Sequence, residues 1–100
     1  MNKTLAERQR ESRRLLILEL LLQLENRHID ERTLAAALRD MDWETARDVL
    51  RSELQWMERQ GLVTLKNTEA STWSIWLTER GDLCARGETT EPGVARPALA

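Results

Sequence analysis

Up to Gly61 the apolar residues recur at helical spacing in three separate runs; beyond it they alternate. The first run is the densest. A helix beginning near Leu5 and continuing to Leu24 puts Leu15, Leu18 and Leu22 on one stripe, Leu16 and Leu20 on a second, and Ile17, Leu21 and Leu24 on a third. A surface helix needs a single apolar stripe, so the excess predicts a cover. In so short a chain the expected cover is a second copy, docked on Leu16, Ile17, Leu20, Leu21 and Leu24. The second run, Leu34, Ala35, Leu38 and Met41, follows a loop that contains His28. Asp30 suits its N-cap and Glu31 its first turn.

A third helix follows Asp42. Either Thr45 opens it, in a capping box with Asp48, or Asp42 does. Ala46, Val49, Leu50, Leu54, Trp56 and Met57 gather on one side of this helix, and Arg47, Asp48, Arg51, Ser52, Gln55 and Glu58 on the other. Glu53 falls inside the apolar arc, where an unpaired carboxylate costs several kcal/mol, so an arginine from elsewhere is expected to meet it. Gly61 ends the helix as a left-handed C′ residue. "LVTL" and "TWSIWL" then read as two strands, and "KNTEAS" as the tip of a hairpin. Trp73, Ile75 and Leu77 share one face of the second strand; Trp76 lies on the other, more exposed or covered by a partner. Thr78 caps a short last helix that Gly87 stops. "ETTEPGVARPALA" has neither period and holds both prolines; it reads as a tail, either disordered or docked as an arm.

Composition narrows this picture. One hundred residues with 41% hydrophobic content suit one small core. A net charge of −2 gives the whole chain no attraction for polyanions, so any nucleic-acid surface has to be a local patch. The clearly basic segment is residues 1–14, where Lys3, Arg8, Arg10, Arg13 and Arg14 stand against Glu7 and Glu11. A single cysteine, Cys84, excludes an internal disulfide, and with a single histidine it argues against a metal site. No cofactor is expected. Carboxylates are plentiful, yet none is spaced with histidine, cysteine or serine as in a triad, and no glycine-rich phosphate loop occurs, so an enzyme is not expected. Glu19 interrupts "LLILELLL", which falls short of the roughly 20 residues needed to span a bilayer. The chain reads as a reduced, cytoplasmic protein without a signal peptide or membrane partner.

Helix, helix, helix, β-hairpin, short helix is the element order of a winged helix-turn-helix, mainly α with a small β-hairpin. The organisation expected is a basic extension over 1–14, the winged-helix domain over 15–87 and an extended tail over 88–100. "LRSELQWMERQGLVTL", the tryptophan-containing strand that ends in "LTERG", then "LCARG" and "EPGVARP" resemble the small winged-helix, ArsR-like proteins of Mu-like phages and prophages. The resemblance runs from Leu15 to Pro97; its most specific parts are Leu54 to Val63, Leu77 to Gly81, and "PGVxRP" at Pro92 to Pro97. It implies a winged helix of phage origin. The metal sensing of arsenic repressors does not carry over, since their paired cysteines have no counterpart here.

Two functions from different classes follow. In the first, the chain is a homodimeric regulator that binds double-stranded DNA. Thr45, Arg47, Arg51, Ser52 and Gln55 then approach the major groove, Lys66 and Asn67 touch the backbone from the wing, and Arg10, Arg13 and Arg14 contact phosphates. Removing Arg47 or Arg51 is then expected to weaken binding without altering stability. Against this, Glu44, Asp48 and Glu58 outnumber Arg47 and Arg51 on that face, and Glu44 with Arg47 or Asp48 with Arg51 also form plain i,i+3 pairs. In the second, the chain is an adaptor that binds a host or phage protein through its apolar first helix, Trp76 or the tail, with Val94 and Arg96 filling pockets. Trp56 and Trp73 are expected to fill the core; Trp43 and Trp76 are the candidate contact residues.

Overall fold

Among the described residues, side-chain oxygens open three of the four helices. Thr4 accepts the Glu7 N–H at 3.1 Å, Asp30 the Thr33 N–H at 2.9 Å, and Thr78 the Gly81 N–H at 3.0 Å. The computed structural model describes residues 2–98. It comprises α1 (Leu5–Gln23), β1 (His28–Asp30), α2 (Glu31–Asp40), α3 (Arg47–Arg59), β2 (Val63–Lys66), β3 (Ser74–Leu77) and α4 (Glu79–Ala85). Helix α3 is the exception at its start. Its N-cap is Ala46, without a side-chain cap, because the Thr45 hydroxyl donates to the Trp43 carbonyl at 2.8 Å and Asp48 accepts the adjacent Val49 N–H. The expected capping box therefore does not form.

The ends of α2 and α3 share one device. After α3, Gly61 (φ 78°) lets its own N–H reach the Glu58 carbonyl and the Leu62 N–H reach that of Met57, a Schellman closure that buries Leu62 beside Met57. Asp42 serves α2 in the same way, at φ 63°, with its N–H on Arg39 and that of Trp43 on Leu38. It closes α2 and so does not open α3.

A strand absent from the sequence reading completes the sheet. His28, placed there in a loop, pairs opposite Trp76 in β1, and the three antiparallel strands run in the order β1-β3-β2. Ile29, Leu65 and Ile75 share one register line, facing the core. His28, Thr64 and Trp76 share the opposite face, where the rings of His28 and Trp76 stack with centroids 4.2 Å apart.

Helix α1 is central, and its apolar excess is largely covered within the chain. It packs on α4 and β3, and Leu15, Ile17, Leu18 and Leu21 are buried together with Leu34, Leu38, Leu50, Leu54, Met57 and Ile75. Each such side chain contributes about 1.5 to 3 kcal/mol on burial. Ile17 and Leu21 are fully enclosed, which corrects their assignment to a surface between copies; Leu16, Leu20 and Leu24 remain half-buried. On α3, Ala46 and Val49 are exposed and leave the expected apolar arc. Trp73 is buried and Trp56 half-buried, as are Trp43 and Trp76.

The segment after α4 docks on the body. Pro92 and Gly93 (φ 92°) occupy the corners of a type II turn closed by the Val94 N–H on the Glu91 carbonyl. Val94 is buried, the Ala95 N–H reaches the Glu11 carbonyl at 3.1 Å, and Glu91 holds Arg80 through two hydrogen bonds of 2.5 and 2.8 Å. That guanidinium keeps the Glu91 carboxyl below the usual carboxylate range. Leu99 and Ala100 of the tail lie outside the described residues.

Candidate functional site

Helix α3 turns Asp48, Ser52, Gln55 and Arg59 outward in one exposed stripe, set by the i, i+4, i+7 and i+11 spacing. The buried side, Leu50, Leu54 and Met57, fixes its rotation. Glu58, counted on the outward face from sequence, is exposed there and also accepts the Leu65 N–H at 2.9 Å, satisfying part of the exposed edge of β2.

The hairpin is tied to this helix through a buried carboxylate. Glu31, 4% exposed at the start of α2, accepts from Arg51 Nε at 2.5 Å, from Arg51 Nη2 at 2.8 Å and from the Trp73 N–H at 3.1 Å. Hydrogen bonding from Arg51 holds its carboxyl below the usual range against the opposing effect of burial, and the Trp73 N–H and the charge of Arg47 add to this. Arg51 also lies 4.4 Å over the Trp73 ring and donates to the Ser71 carbonyl at 3.1 Å; Arg47 donates to the same carbonyl. The hairpin tip is thereby held beside the first turns of α3. The local pairs Glu44 with Arg47 and Asp48 with Arg51 do not form, because both arginines reach across to Glu31 and Ser71.

Two recesses flank α3. On one side, a cleft of about 230 Å³ is lined by Arg32, Ala35 and Arg39 of α2 and by Thr45, Arg47 and Leu50. Glu31 lies there too, already compensated by Arg51. Arg39 is 4.0 Å from Glu44 with both side chains largely in solvent, a pairing worth little. On the other side, a groove of about 430 Å³ runs between Gln9, Arg10 and Arg13 of α1 and Asp48, Val49 and Ser52 of α3. At the hairpin turn, Asn67 adopts φ 60°, which its short polar side chain tolerates, and donates to Ser74 Oγ at 3.2 Å. Lys66 lies 5.1 Å over the Trp76 ring.

The residues expected from sequence to contact DNA are thus divided. Arg47, Ser52, Gln55, Lys66 and Asn67 are exposed, and Thr45 is half-buried in the cleft wall. Arg10, Arg13 and Ser52 meet in the groove. Arg14 does not join them. It is buried, bonded through Nε and Nη2 to Glu53 at 3.2 and 3.0 Å and through Nη1 to the Gly93 carbonyl at 2.9 Å, and it lies 3.8 Å over Trp56. Arg14 is the arginine that Glu53 requires, so its assignment to phosphates is withdrawn. Arg51 is likewise bound into the fold, so its removal is not neutral for stability. Arg32 and Arg39 were missed, although their spacing of seven on α2, outside the buried Leu34 and Leu38, is readable from the sequence. Val94, offered as a pocket-filling residue, fills this chain's own core.

Among the described residues no helix is long and apolar enough to cross a membrane, and no group of three or more His, Cys, Asp and Glu is placed to hold a metal ion. Over 87 residues the chain is 36% identical to a protein of Escherichia phage Mu that carries the description uncharacterized protein gp26; the match covers 87% of this chain and 88% of that protein. No model of a known protein family matches the chain, and no solved structure matches it.

Proposed function

The chain belongs to a family of Mu-like phage proteins that includes phage Mu gp26, and from that footing we propose that it is a winged helix-turn-helix regulator of a phage or prophage, binding double-stranded DNA as a homodimer. The observation that carries this reading is the anchoring of the hairpin tip beside the exposed stripe of α3, through Arg47 and Arg51 on the Ser71 carbonyl. A helix and a hairpin held side by side are what a duplex requires if one is to enter the major groove and the other to meet the flanking backbone. Ser52 and Gln55 present hydrogen-bonding groups to base edges, Gln being suited to adenine, and Arg47 suits guanine. Lys66 and Asn67 act from the hairpin. Arg32 and Arg39 add cations beside Arg47, which offsets part of the repulsion from Asp48. Pairing of copies falls to the half-buried Leu16, Leu20 and Leu24, with Trp76 as a further contact. The alternative, an adaptor that docks through its first helix, Trp76 or the tail, loses the tail as a docking element once Val94 and Glu91 serve the fold.

Arg47 and Arg51 separate recognition from architecture. Arg47→Ala is expected to weaken duplex binding by about 1 to 3 kcal/mol with a smaller change in stability than Arg51→Ala, since its side chain is 63% exposed and Arg51 still holds the Ser71 carbonyl. Arg51→Ala is expected to lower stability as well, by roughly 1 to 3 kcal/mol, because it leaves Glu31 buried with fewer donors. Fluorescence titration against duplex fragments of the surrounding phage genome at two salt concentrations, with urea unfolding of each variant, reads both effects. Binding by wild type that Arg47→Ala leaves intact removes this face from the proposal; no salt-dependent binding at low ionic strength removes DNA.

A further inference from the structure

The groove between α1 and α3 is lined by donor side chains from both helices, Gln9, Arg10 and Arg13 from one and Ser52 from the other, and by two carboxylates of α3, Asp48 and Glu53, the latter compensated by Arg14. Arg13 is the least settled of them. Its Nε is buried with no hydrogen-bond partner, and its Nη1 stands 3.5 Å from a Glu53 oxygen that Arg14 already engages. Glu53 keeps two bonds from Arg14 if Arg13 turns away, so the movement forfeits one long contact and relieves an unpaired donor. The opposing carboxylate at the rim, Asp48, is turned onto the Val49 N–H.

We propose that this groove is a phosphate-binding site in which Arg13 swings from Glu53 to join Arg10, with Gln9 and Ser52 supplying neutral donors. The guanidinium fork matches two phosphate oxygens, and amide and hydroxyl groups complete the shell without adding charge. Ser52 belongs both to the groove and to the outward stripe of α3, so a phosphate held here lies at the edge of the surface assigned to DNA. Two sources share this chemistry: the backbone of a duplex seated on α3, in which case the site rests on the DNA reading above, or a free phosphate-bearing molecule.

The test follows the Arg13 Nε–Hε signal in proton–nitrogen spectra during titration with inorganic phosphate at constant ionic strength, alongside duplex binding at about 50 and 200 mM salt. A saturable movement of that signal, weakened about tenfold or more in Arg10→Ala, supports the site. Arg10 is exposed, so this variant keeps the fold if Arg13→Gln does not. A salt slope lower by about 0.9 in Arg10→Ala identifies the backbone as a source; an unchanged slope with phosphate binding identifies a free ligand. A protein that binds phosphate here but no duplex keeps the site and loses the DNA reading. An unmoved signal together with an unchanged salt slope overturns the site, and does so even where wild type binds DNA.

Discussion

Replacing Arg14 with alanine is expected to lower the free energy of unfolding by about 3 to 5 kcal/mol, among the largest losses available to a single substitution in this chain. Arg14 is 9% exposed, and Glu53 beside it is 5% exposed. Its three nitrogens serve two different elements, Nε and Nη2 the carboxylate of Glu53 on α3 and Nη1 the Gly93 carbonyl in the arm, while the guanidinium plane covers Trp56. Alanine leaves a buried carboxylate with Arg13 alone at 3.5 Å, removes the packing on Trp56 and takes away one of the contacts that hold the arm. Urea unfolding reads the loss. Limited proteolysis reads its route, since cleavage after residue 87 is expected to accelerate in the variant before the body is attacked. A double change, Arg14→Met with Glu53→Met, removes both charges together and is expected to recover most of the stability. An Arg14→Ala variant within about 1 kcal/mol of wild type contradicts this role, because burying an uncompensated carboxylate costs more than that.

Gly81→Ala gives the second large effect, and its sign is the informative part. In an exposed helix interior alanine is about 1 kcal/mol better than glycine. At Gly81, inside α4, a Cβ would lie 2.1 Å from the Leu62 carbonyl oxygen and 2.8 Å from Leu77 Cδ1. The first obstacle is backbone, at the very point where α3 hands over to β2, and no rotamer change moves it aside. The same place is fixed from the other side by the Thr78 hydroxyl, 2.7 Å from the Gly61 carbonyl to which it donates. Overpacking of this kind costs about 1 to 3 kcal/mol or more, so the melting temperature is expected to fall by roughly 4 to 20 °C. Thermal unfolding followed by circular dichroism decides it; an unchanged or raised melting temperature means that α4 does not press on Leu62.

Features governed by neighbours in the chain were readable from the sequence. Asp30 and Thr78 cap the helices they were expected to cap, Gly61 and Gly87 take positive φ at the helix ends, and α1 starts at Leu5. These depend on one side chain meeting a backbone group three or four residues away. The misreadings arise where a distant partner decides. "HID" is too short to show a period of two and becomes a strand because Ser74, Ile75 and Trp76 of β3 offer it an edge. Ile17 and Leu21 have the pattern of an interface, but α4 and β3 arrive from far along the sequence to cover α1.

The arginines show the same division at the site. The need of Glu53 for a partner was legible from its place in the apolar arc, whereas the choice of Arg14 over the neighbouring Arg13 was not, because both carry the same charge on the same helix. Arg47 and Arg51 looked like local partners of Glu44 and Asp48; the start of α2 supplies Glu31 and the hairpin tip supplies Ser71 instead. "EPGVARP" read only as a tail, disordered or docked as an arm; the assembled structure docks it through a turn at Gly93, where Trp56 stands 2.7 Å from the position a Cβ would take.

The most direct measurement is a map of backbone amide shifts in proton–nitrogen spectra as the protein is titrated with a duplex that it binds. The largest changes are expected on Arg47, Ser52 and Gln55 of α3 and on Lys66 and Asn67 of the hairpin, with smaller ones at Arg32 and Arg39. Changes confined to α1 around Leu16, Leu20 and Leu24, or to the arm from Glu91 to Pro97, would contradict recognition by this face.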